Sequence, residues 1–147
     1  KPEQILGSSQ EISDCDVSPD GKLIAFDSRG GARDDLFLVD TDGRNLRQIT
    51  DDIPKDRHPK FSPDGKRLVF HSDRGGGFGR NDLYMSTRSS QSDAFEKPMN
   101  LGTAINTGAN EEHPSISADG KILWFSSNRA GGLGGFGPRG PRSRGSS

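Results

Sequence analysis

At 147 residues the chain has the length of one ordinary domain, and a hydrophobic fraction of 28% beside 20 glycines leaves room for only a modest core. Lysine and arginine number 20 against 21 acidic residues, so the net charge of −1 gives no reason to expect nucleic acid or an anionic membrane as partner. The single cysteine, Cys15, rules out an internal disulfide, no run approaches the roughly 18 apolar residues of a membrane span, and Lys1-Pro2-Glu3-Gln4 lacks the apolar stretch of a signal peptide.

Three nonapeptides align without gaps: Ser18 to Phe26 (SPDGKLIAF), Ser62 to Phe70 (SPDGKRLVF) and Ser117 to Phe125 (SADGKILWF). Their serines stand 44 and 55 residues apart, which brackets the length of a four-stranded propeller blade, with an insertion in the second unit. In chain order, Gln4-Ile5-Leu6 precedes Val17 by the same interval that separates Gln48-Ile49-Thr50 from Phe61, so residues 3–7 read as an outer strand that closes a ring. The first blade, 13–50, holds an inner strand ending Asp16-Val17-Ser18, a Pro-Asp-Gly turn, and a second strand from Lys22 to Asp27. Leu36 to Val39 then forms the third strand and Leu46 to Thr50 the fourth. The second blade, 57–101, repeats this with Lys60 to Ser62, Arg67 to His71, Leu83 to Met85 and Pro98 to Leu101. The third, 112–136, begins normally at Glu112 to Ser117 and runs through Trp124-Phe125. It then meets Gly135 to Pro141, whose glycines and prolines do not build an inner strand. The tail 137–147 reads as a linker or an addition foreign to the fold, disordered by itself. The prediction is an all-β partial propeller over 1–136, of about three four-stranded antiparallel blades.

These residues resemble the PD40 repeat of TolB-type propellers, with its Ser-Pro-Asp-Gly turn, the following Ile/Leu-x-Phe strand, and a Ser-x-Arg-Gly stretch after it. That stretch reads Ser28-Arg29-Gly30, Ser72-Asp73-Arg74-Gly75 and Ser127-Asn128-Arg129-Ala130-Gly131. Asn100-Leu101-Gly102, with Ile105-Asn106-Thr107 and Asn110-Glu111, is similar to the version found beside outer-membrane and peptidoglycan-associated proteins. The resemblance covers about residues 4–135. It implies a non-enzymatic interaction scaffold, often in the periplasm or envelope of bacteria, that engages a protein or peptide without a cofactor. An accessory propeller of a larger hydrolase and a small-molecule or glycan binder are the alternatives. Closed propellers typically have four to eight blades, so about three leave two apolar faces open. The chain is then either a piece of a longer protein or a homodimer that pairs two fans into a six-bladed ring.

Candidate chemistry centres on Asp14, His58 and His113, each four residues before the serine of its repeat. The repeat would set the three around an axial mouth, where they form a candidate ligand site; imidazole and carboxylate are also metal ligands, but no metal is assigned. Arg29, Arg74 and Arg129 recur just before glycine-rich loops and are candidates for internal ion pairs or for contacts to an anion. Asp40-Thr41-Asp42-Gly43-Arg44-Asn45 begins like a calcium loop but lacks the terminal glutamate, and reads as a hairpin turn. Gly75 to Gly79 and Gly131 to Gly135 precede no helix, so neither reads as a phosphate cradle. No Gly-x-Ser-x-Gly elbow accompanies the serines, and no catalytic residue is expected.

Overall fold

Each copy of the nonapeptide folds into the same turn. In the computed structural model, which describes residues 11–30 and 33–131, the Ser18 N–H bonds to the Leu23 carbonyl and the Gly21 N–H to the Ser18 carbonyl, both at 2.8 Å. The Ser18 hydroxyl donates to Asp20 (2.6 Å) and accepts the Leu23 N–H (2.9 Å), while Asp20 also accepts the Lys22 N–H. Ser62 to Arg67 and Ser117 to Ile122 repeat every one of these bonds. Gly21, Gly65 and Gly120 sit at φ of 70°, 68° and 72°, where a side chain is strained. The serine hydroxyls, foremost, hold Asp20, Asp64 and Asp119 below the usual carboxylate range.

These turns join antiparallel strands. β1 (Glu11–Val17), β2 (Leu23–Gly30), β3 (Arg33–Asp40) and β4 (Arg47–Gln48) form one four-stranded sheet in sequence order. β5 (Asp56–Phe61), β6 (Arg67–Ser72), β7 (Asp82–Thr87) and β8 (Met99–Asn100) form a second. β9 (Glu111–Ile116) and β10 (Leu123–Ser127) make a two-stranded third sheet. The described residues are thus all-β, with two complete blades and the inner pair of another. The expected closing strand at 3–7 and the tail at 137–147 lie outside the described residues.

Alternation on the strands builds the core between blades. Leu23 and Ala25 on β2 and Leu36 and Leu38 on β3 point toward Phe61, Leu68, Phe70 and Tyr84 of the second blade, with Ile49 and Phe95 closing the edge. The other face of the first blade stacks Phe26 on Phe37 at 5.6 Å.

The outer strands are shorter than the sequence predicts, because side chains take over their ladder bonds. Thr50 Oγ1 accepts the Leu36 N–H at 3.0 Å. In the second blade, buried Asn106 accepts the Leu83 N–H (2.8 Å) and donates to the Leu83 carbonyl (2.9 Å), as a strand would. The extra length of the second unit is spread over the β6–β7, β7–β8 and β8–β9 loops, and the last of these brings Asn106 back to the sheet. Asp40 to Asn45 is a hairpin turn: Gly43 has φ of 84°, and Asp40 takes the Asn45 amide at 2.7 Å.

Candidate functional site

Every inner strand is bulged at one repeat position. Arg57 and Lys60 on β5 face His71 and Val69, so one extra residue is looped out around His58-Pro59, and β9 does the same around His113-Pro114. His58 and His113 adopt φ of 56° and 53°, while Pro59 and Pro114 are fully buried behind them. The left-handed backbone swings each imidazole out of the ladder and turns its N–H toward the preceding blade.

That N–H meets a side chain at a fixed place in the repeat. His58 N–H donates to Asp27 Oδ2 at 2.8 Å, and His113 N–H donates to His71 Nδ1 at 3.3 Å. Asp27, His71 and Ser126 each stand nine residues after the turn serine, at the end of a second strand. Asp27 also accepts from Ser13 and Asp14 N–H, tying its own bulge to the next one.

All three histidines of the chain therefore meet. Ring centroids are 4.2 Å apart for His58 and His113, 4.9 Å for His58 and His71, and 5.6 Å for His71 and His113. Burial, then the neighbouring His58, His113 and Arg57, pushes the His71 imidazole down to about 3, and burial with the charge of His113 lowers His58. His71 is neutral at neutral pH, its Nδ1 an acceptor. The histidines line an open polar recess of about 330 Å³ together with Lys55, Arg57, Asp73, Arg80, Asn81, Asn110 and Glu112. Among the described residues no group of three His, Cys, Asp or Glu is arranged to hold a metal ion.

The sequence-predicted residues divide. His58 and His113 are brought together. Asp14 is not part of the recess: its carboxylate bonds to Lys60 at 3.0 Å and to the Cys15 N–H. Arg74 spends its guanidinium on buried Asp56, at 2.8 and 2.7 Å, with Nε on Ser72. Arg129 does likewise with buried Glu111, Ser127 and the Ile105 carbonyl. These two arginines clamp the start of an inner strand to the end of its neighbour, so the anion-contact reading gives way to an internal ion pair. Arg29 is not their equivalent. Ser28 faces Ile12 as Ser72 faces Asp56, which puts Arg29 one position early, exposed, with Ile12 in place of the acid. Sequence reasoning missed His71, whose signal was a polar residue ending an apolar strand at the position where the other repeats have Asp27 and Ser126.

Comparison with known proteins agrees with the propeller fold. Residues 8–131 match the PD40 family, described as the TolB beta propeller domain. The chain is 35% identical over 81 residues to dipeptidyl-peptidase 5 of Porphyromonas gingivalis, covering 51% of this chain and 12% of that protein. It is 35% identical over 72 residues to the Tol-Pal system protein TolB of Helicobacter hepaticus, covering 49% and 17%. Crystalline TolB from Acinetobacter baumannii superposes with a TM-score of 0.60 at 25% identity, over 80% of this chain and 27% of that one. The chain thus spans less than a third of each of these relatives.

Proposed function

This chain belongs to the PD40 family of TolB β-propeller domains, and from that premise we propose that it is a non-enzymatic binding module whose histidine-lined recess receives a loop or peptide of a protein partner. The observation that carries this reading is the recess itself. Three imidazoles, one of them His71 held neutral, stand beside the exposed cations of Lys55 and Arg80 around one opening. Such a wall offers donors, acceptors and flat rings, which suits the mixed polar surface of a peptide. The family supports a place in the bacterial envelope, and no cofactor enters the reading. A peptide array probed with the whole chain and with Arg80→Ala tests it. Spots bound by the wild type and lost with the variant are expected; an array without such spots removes the recess as a binding surface.

The likeness to a dipeptidyl-peptidase favours a second reading, in which the propeller supports catalysis carried by another domain of a longer protein. In that case the chain alone hydrolyses no dipeptidyl substrate, and release of a chromogenic dipeptide leaving group by purified protein would contradict both readings. The open flanks support one more element of the proposal. Trp124 is 62% exposed on the two-stranded sheet and Val17 is 52% exposed on the first blade, apolar area that a second copy of the chain covers by pairing two fans.

A further inference from the structure

A groove of about 850 Å³ runs between the two complete blades, and it shares no lining residue with the histidine recess. Leu23, Leu38, Ile49 and Phe95 give it an apolar floor, and Arg88 stands in its wall. Arg88 is only 6% exposed. Its Nε donates to the Gly65 carbonyl at 2.9 Å, and its guanidinium lies 4.5 Å from the centre of the Phe95 ring. Among the described residues, no carboxylate pairs with it and its two terminal nitrogens make no hydrogen bond. Those terminal nitrogens reach the solvent of the groove; burial and the nearby charge of Arg47 disfavour the cation, while Asp20 and Asp93 favour it from beyond contact distance.

The repeat shows that the fold does not need this cation. Thr41 holds the equivalent place in the first blade, its N–H on the Lys22 carbonyl as that of Arg88 is on Lys66. Thr41 satisfies the turn carbonyl of Gly21 with a hydroxyl, at 3.1 Å, where Arg88 uses Nε on Gly65. Threonine suffices for the turn, so the terminal fork of Arg88 is surplus to it and faces the groove.

We propose that this groove binds the free C-terminus of an extended apolar peptide, with its α-carboxylate on the guanidinium of Arg88 and its last side chain over Leu38, Ile49 and Phe95. A guanidinium fork matches a carboxylate with two parallel hydrogen bonds, and stacking on Phe95 holds it ready. An α-carboxylate sits directly beside its own side chain, so one terminal residue supplies both the anion and the apolar group that the groove juxtaposes. Asp20, Asp40, Asp42 and Asp93 line the same groove and outnumber its other cations, Lys22 and Arg47, the latter paired with Asp40 at 3.3 Å. This acidic excess opposes a phosphopeptide or an acidic tract and favours a single carboxylate with a basic residue upstream.

Fluorescence anisotropy on the full chain tests this with a labelled hexapeptide that starts with lysine and ends Leu-Val-Leu, compared with its C-terminal amide. The free acid binds about tenfold or more tightly than the amide. Arg88→Thr, which keeps the bond to Gly65 in the manner of Thr41, melts near the wild type and binds acid and amide alike. Equal binding of the two peptides to the wild type, absence of binding by the acid, or a preference that survives Arg88→Thr overturns the proposal. The acid-to-amide comparison on the wild type decides even if the variant is unstable.

Discussion

His71 follows Leu68-Val69-Phe70 near the end of β6, and its imidazole must stay neutral to accept the His113 N–H. Its folded pKa, about 3, lies below the ordinary 6.5, so the folded state binds fewer protons than the unfolded chain. The resulting stability is fully present above pH 6.5 and falls as pH drops toward 3, by at most about 1.4 kcal/mol per unit. His58 shifts in the same direction and adds to the trend. Urea denaturation at pH 7.5 and pH 5 therefore gives a lower midpoint at pH 5, and His71→Asn, which keeps an acceptor without a titrating ring, narrows the gap. An unchanged gap in that variant removes His71 as its source. His58 and His113 were legible from their spacing alone. His71 was not, because its repeat partners are Asp27 and Ser126, and three residue types that share only the ability to accept a hydrogen bond do not stand out in one sequence.

The turns and clamps that define a blade differ in how openly the sequence displays them. The Ser-x-Asp-Gly turn was visible in three copies, since its bonds need the serine and the aspartate and its glycine needs a positive φ. Gly21→Ala meets nothing within 4 Å yet costs about 1 kcal/mol for its φ of 70°, whereas Gly75→Ala, equally open and without a positive φ, stays near neutral in thermal melts. The clamp of Arg74 on Asp56 was hidden, because partners 18 residues apart carry no local pattern. Arg74→Met leaves Asp56 buried without its cation and lowers unfolding free energy by about 3 kcal/mol. Exposed Arg29→Met, although it looked equivalent in the sequence, changes it little, and equal losses at the two positions would show that the clamp has been misplaced. Outer strands were read too long for a related reason: Thr50 and Asn106 supply bonds that the sequence attributes to backbone.

For the molecule as a whole, the repeat made the architecture legible in the sequence, whereas the site arises where two blades meet and so has no local pattern. Covering of the open flanks by a second copy predicts a mass by light scattering above the 15.9 kDa of one chain, returning to that value with Trp124→Glu. A constant 15.9 kDa at every concentration excludes the paired fans. The central claim, that the histidine recess is where a partner binds, is tested most directly by the affinity of the strongest array peptide for the wild type and for Arg80→Ala. The account predicts binding about tenfold weaker in the variant, as loss of one charged hydrogen-bonding contact requires. Equal affinities would contradict it and place the binding surface elsewhere on the propeller.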